Sequence, residues 1–153
     1  MWDPYLSKVQ RGARPFLPVG EEVVAAFVAR PRGWTQSVAG GAAAGGASQG
    51  RAFAAGEAAG FRIASPMALA VTQRRLLVLR IGSPIGLGIG GDVKEIVSAV
   101  PLSEVNSIAM KRLLLGKIVT VTVRGARVIL EANAAANAGG LIAAFNRARA
   151  GGH

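Results

Sequence analysis

Residues 117–131 read Lys117-Ile118-Val119-Thr120-Val121-Thr122-Val123-Arg124-Gly125-Ala126-Arg127-Val128-Ile129-Leu130-Glu131. Val119, Val121 and Val123 alternate with Thr120 and Thr122, the period of two that sends successive side chains to opposite faces of a strand. Gly125 lies in the break between Arg124 and Arg127, after which Val128-Ile129-Leu130-Glu131 resumes the apolar, β-branched character. Two such runs around a glycine-containing turn predict an antiparallel hairpin.

Downstream the period changes. Ala138, Leu141, Ile142, Phe145 and Ala148 recur at spacings of three and four, one apolar stripe on a helix. Asn133 or Asn137 can cap its start, and Arg147 and Arg149 complement the negative end of its dipole. Upstream, Met67-Ala68-Leu69-Ala70-Val71-Thr72 and Arg75 to Ile81 (RLLVLRI) predict two strands joined at Gln73-Arg74. Val93 to Val100, ended by Pro101, and Val105 to Met110 predict two more. Glu21 to Arg30 (EEVVAAFVAR), stopped by Pro31, fits a strand or a short helix. Strands closed by one amphipathic helix imply an antiparallel sheet or partly open barrel with a helical plug.

Two segments stand apart. Residues 1–19 contain three prolines and predict an extended tail, with Trp2, Tyr5 and Phe16 available to tuck against the domain. Residues 33–65 are rich in Gly and Ala and predict a flexible or helical insertion after the first strand. Small residues recur there at spacing four (Gly41 and Gly45, Gly46 and Gly50, Gly56 and Gly60), which lets helix backbones approach closely. The domain proper is expected over residues 20–150.

The residues from 67 to 149 resemble the bacterial pleckstrin-homology-like (PH-like) domains. The resemblance is carried by a strand leading into Thr72-Gln73-Arg74-Arg75-Leu76-Leu77, a T-x-x-R-L signature. Val100-Pro101-Leu102-Ser103-Glu104-Val105, the Gly116-Lys117 turn, the hairpin and the C-terminal helix complete it. It implies a mainly β, α+β fold: a bent antiparallel barrel of about seven strands capped by the C-terminal helix, with Glu21 to Arg30 as first strand. It also implies a binding or scaffolding module without catalysis. Many eukaryotic members bind phosphoinositides through basic residues in the first inter-strand loop. Here that loop offers only Arg32, Arg51 and Arg62, so that site does not carry over.

Composition narrows the chemistry. The chain has 153 residues, enough for one domain, and 18 Lys plus Arg against 8 Asp plus Glu, a net charge of +10. That surplus favours anionic partners; four lysines against fourteen arginines in an Ala/Gly-rich background also fit the coding bias of a GC-rich genome. With no cysteine, disulfides and thiolate metal sites are excluded, and with His153 the sole histidine so are imidazole clusters and Ser-His-Asp triads. The carboxylates are scattered, so no acid–base pair emerges, no metal site is expected, and the chain reads as no enzyme with no cofactor. Residues 1–20 do not read as a signal peptide and no transmembrane helix is evident.

Gly86, Gly88 and Gly91 in GLGIGG match a G-x-G-x-x-G pattern. A nucleotide loop must leave a strand and open a helix; here Asp92 to Val97 could start one, but Val100 and Pro101 would end it within about three turns. No long βαβ alternation surrounds it, so the segment reads first as a pliant hairpin connection, with a nucleotide-binding enzyme as the less favoured alternative. Arg74, Arg75, Lys111, Arg112 and Lys117 are the candidate binding residues, a local basic patch if turns gather at one end of the barrel. Arg75 has a further structural reading, as partner to a barrel carboxylate or carbonyl. The expected partners are proteins or a second copy of the chain, with anionic lipid headgroups next and nucleic acid as the alternative. The expected location is cytoplasmic or peripheral at the inner membrane face.

Overall fold

The computed structural model describes residues 4–33, 42–82, 91–114, 116–133 and 135–151. Along them run α1 (Pro4–Ala13), β1 (Val23–Pro31), α2 (Ala42–Ala59), β2 (Met67–Thr72), β3 (Arg75–Ile81), β4 (Val93–Pro101), β5 (Val105–Leu113), β6 (Gly116–Val123), β7 (Ala126–Ala132) and α3 (Ala138–Gly151). The strands form one seven-stranded sheet in the order β4-β3-β2-β1-β7-β6-β5, with all pairs antiparallel. This is the seven-strand, helix-capped architecture that the PH-like resemblance implies. β4 and β5 are edges, so the sheet is bent but open.

β1 makes the bend. Val23 to Ala29 pair with β2, and Arg30 and Pro31 cross over to pair with β7. β1 is thus a strand, and its partners decide what local propensity left open: Val and Phe alternate onto the pleat while alanine tolerates either state. The two halves face one core, in which Phe27, Leu69 and Leu76 meet Val121, Val128 and Leu130. α3 plugs this core with Leu141 and Phe145, and its start is capped by Asn137, whose Oδ1 accepts the Gly140 N–H at 3.0 Å.

β2 is buried on both faces. Met67, Leu69 and Val71 point into the main core, whereas Ala68 and Ala70 join Leu77, Leu79 and Ile81 in a second apolar layer outside the sheet. α1 covers that layer with Val9 and Ala13. The expected extended tail is therefore corrected: residues 4–13 are helical and packed. Pro4 occupies the first turn, where a missing N–H is tolerated, and only Pro15 and Pro18 lie where they interrupt the helix. Tyr5 is half-buried, Phe16 is exposed, and Trp2 lies outside the described residues.

The Gly/Ala insertion is helical from 42 to 59. α2 packs along β7 and β1 and buries Ala52 and Ala59. Its end is a Schellman turn. Phe61 N–H bonds Gly56 C=O at 2.8 Å, Gly60 N–H bonds Glu57 C=O at 3.1 Å, and Gly60 has the required left-handed φ of +69°. Gly46 and Gly50 face open space, so the small-residue spacing brings no backbone close to them; Gly41 lies outside the described residues.

Candidate functional site

The T-x-x-R-L signature forms the turn between β2 and β3. Thr72 Oγ1 accepts the backbone N–H groups of Arg74 and Arg75 at 3.0 and 2.9 Å and donates to Glu21 Oε2 at 2.7 Å. Arg75 meets the same carboxylate in a fork: Nε donates to Oε2 at 2.9 Å and Nη2 to Oε1 at 3.0 Å. Gln73 completes the clasp, donating to Gly20 C=O at 2.7 Å and accepting Glu22 N–H at 3.2 Å. The Glu21 side chain is only 2% exposed. Burial pushes its pKa up, but hydrogen bonds from Arg75 and Thr72 and the charges of Arg75 and Arg74 outweigh burial and hold it below the ordinary value. Arg75 is thus the structural partner of a barrel carboxylate, one of the two roles read for it, and of the two arginines at this turn only Arg74 is exposed.

Lys111, Arg112 and Lys117 lie elsewhere. Arg112 and Lys117 face each other across the β5–β6 ladder, with Lys111 one residue back. β5 begins beside Arg124, whose N–H bonds Glu104 C=O, and β3 begins opposite Pro101 just before that same turn. The Arg74 turn and the β5–β6 turn therefore occupy opposite ends of the sheet, roughly 25 Å apart by strand rise. The five residues do not form one patch. Strand direction separates them, a fact invisible until the pairing is known. Lys117 is also engaged, donating to Ala136 C=O at 2.6 Å and tying the hairpin to the connection before α3.

Ion pairs account for every described carboxylate. Asp92, Glu22, Glu131, Glu57, Glu21, Glu95 and Glu104 each meet a different cation: Lys8, Arg14, Arg32, Arg62, Arg75, Arg80 and Arg124 respectively. Besides the Glu21 clasp, two of these pairs carry further hydrogen bonds between segments. Glu131, buried on β7, accepts from Arg32 Nη1 at 3.3 Å and Gly33 N–H at 3.0 Å, and beside it burial lowers the pKa of Arg30 against the raising effect of the Glu131 charge. Arg124 donates to Glu104 Oε1 and, through Nη1, to Ala59 C=O at the end of α2, both at 2.7 Å. The Glu104 hydrogen bond raises the Arg124 pKa, and the same bond lowers that of Glu104. Among the described residues, no group of three or more His, Asp or Glu is placed to hold a metal ion.

GLGIGG lies outside the described residues except for Gly91. Its flanks are decisive: Gly82 N–H bonds Asp92 C=O at 2.9 Å, and β3 and β4 pair antiparallel on either side. A strand, not a helix, follows the glycines, so no helix N-terminus is available there to bind pyrophosphate.

The sequence reading missed Glu21 as the Arg75 partner, although adjacent acids before the first strand were its signal. It also missed Leu113 and Leu114, which are 43% and 97% exposed beside Lys111 and Arg112. The run of charge and leucine was visible, but only the end of the β5–β6 pairing exposes it.

No family model matches the chain, and no curated protein matches it. Solved structures similar to it include two bacterial ones. One is a DUF1696 family protein with a pleckstrin-homology domain from Shewanella loihica, at 10% identity over 93% of this chain and 94% of that one, with a TM-score of 0.48. The other is a pleckstrin homology domain from Shewanella amazonensis, at 12% identity over 95% and 99%, with a TM-score of 0.49.

Proposed function

We propose that the chain is a non-catalytic binding and scaffolding module that meets an anionic partner at the inner face of the membrane. One observation carries this reading: each described carboxylate is already held by a cation, so the charge left over at the surface is cationic. Buried Glu21 and Glu131 hold elements together, a structural use of acidic groups. Arg74, Lys111, Arg112, Arg127 and Arg147 are exposed and make their charge available. A field of that kind attracts anionic surfaces and weakens as salt rises. The open edges β4 and β5 add a surface suited to a protein partner or a second copy.

The test is binding of the full chain, at low and then rising salt, to vesicles containing phosphatidylserine, random duplex DNA and single-stranded RNA. Salt-sensitive binding to the vesicles supports the reading; binding confined to nucleic acid redirects it to the alternative partner. No binding to any of the three at low salt overturns it. A melting temperature raised by millimolar ATP or NAD would overturn the non-catalytic part.

A further inference from the structure

The end of the β5–β6 hairpin combines two consecutive exposed leucines with cations. The β6–β7 ladder stops at Lys117 and Ala132, while the β5–β6 ladder runs on to Leu113 and Gly116. Leu113 and Leu114 therefore lie past the last rung shared with β7, and Leu114 is 97% exposed. Three cations lie on the same end of the hairpin. Lys111 and Arg112 precede the leucines, and Lys117 faces Arg112 across the ladder. Like charges directly opposite on paired strands are unfavourable, and no described carboxylate lies within 4 Å of any of the three. The hairpin end carries exposed leucines beside exposed Lys111 and Arg112, while Lys117 donates to the Ala136 carbonyl.

We infer that this hairpin end is a docking tip for an anionic lipid bilayer, with Leu113 and Leu114 entering the apolar boundary and Lys111, Arg112 and Lys117 meeting the headgroup charge. The choice of occupant follows from charge and shape. A second copy would bring the same cations to the contact, so the tip cannot pair with itself. A nucleic acid would satisfy the cations and leave the leucines in water. An anionic bilayer satisfies both at once, because its charge lies at the surface and its apolar phase directly beneath. The site is distinct from the first inter-strand connection, which here holds α2. This inference rests on the anionic-partner reading above and adds to it a location and a lipid.

The chain has no cysteine, so Leu114→Cys accepts one environment-sensitive dye. Val19→Cys places the same dye at another fully exposed position, next to the β2–β3 turn at the opposite end. Vesicles of phosphatidylcholine with phosphatidylserine should shift the emission at position 114 to the blue and leave position 19 unchanged, and pure phosphatidylcholine should shift neither. In co-sedimentation of the otherwise native chain, Leu113→Ser with Leu114→Ser should weaken binding more than about tenfold. Arg112→Gln should weaken it about fivefold. Circular dichroism checks that the variants fold, and the dye result decides the matter independently of them.

If the chain sediments with anionic vesicles while the dye at 114 does not respond, the tip is not the docking site and the anionic-partner reading survives. If the chain shifts nucleic acid but ignores vesicles, the lipid inference is likewise overturned and the anionic-partner reading is redirected from the membrane to nucleic acid. Binding to neither overturns both.

Discussion

Replacing Arg75 by alanine strands the carboxylate of Glu21. That side chain is 2% exposed, against 30% for Arg75, and it would keep only the 2.7 Å hydrogen bond from Thr72. Removing one partner of a buried pair costs about 3–5 kcal/mol. The partial exposure of Arg75 lets water enter the vacated space and the Arg74 charge persists, so the lower end applies, about 3 kcal/mol. For a domain of this size that lowers Tm by roughly 6–12 °C. Urea unfolding followed by circular dichroism measures the loss directly, and adding Glu21→Gln should recover about 1–2 kcal/mol by removing the stranded charge.

The pH dependence has a definite sign. The folded-state pKa of Glu21 lies below its ordinary value of 4.5. The stabilisation is therefore fully present above that value and lost as pH falls through the lower folded value. The gap between native chain and Arg75→Ala should be widest above about pH 5 and shrink in acid. A loss under about 0.5 kcal/mol, the size of an exposed pair, together with weaker binding to anionic vesicles, would refute the reasoning. Arg75 would then be a ligand residue, not a clasp.

Three other perturbations follow from the packing. Gly116→Ala places a side chain at φ +151° with its Cβ 2.9 Å from the Ala132 carbonyl oxygen; a loss of about 1–3 kcal/mol should appear in thermal melts. Phe27→Ala empties a fully buried site between the two halves of the sheet and should cost about 3–5 kcal/mol in urea unfolding. Deleting residues 1–19 uncovers Ala68, Ala70, Leu77, Leu79 and Ile81, so the truncated chain should bind the apolar dye ANS and aggregate on heating. A truncated chain as soluble and stable as the full one would show that α1 is dispensable.

The hairpin at 116–132 and the helix at 138–151 were legible because their signals are local: a period of two, a turn glycine, a stripe at three and four. β1 was half legible, since Glu21 to Arg30 fits two conformations until β2 and β7 supply its ladder. α1 was misread for a similar reason. Its apolar positions, Tyr5, Leu6, Val9 and Ala13, acquire meaning only once Ala68, Ala70 and Leu79 present an uncovered outer face. The basic residues were individually visible, yet their grouping depends on which strand ends coincide. Topology puts Arg74 and Arg75 at one end and Lys111, Arg112 and Lys117 at the other.

By itself, then, the sequence determined the antiparallel β class, the closing helix, the cationic surplus and the lack of thiol or imidazole chemistry. These follow from composition and short-range periodicity, which a chain carries before it folds. The tertiary structure decided that Thr72 and Arg75 clasp Glu21, that α1 is part of the fold, and that Leu113 and Leu114 are left exposed at the end of the β5–β6 pairing. Each of these depends on contacts between residues far apart in the chain, and such contacts exist only after the sheet has chosen its order and register.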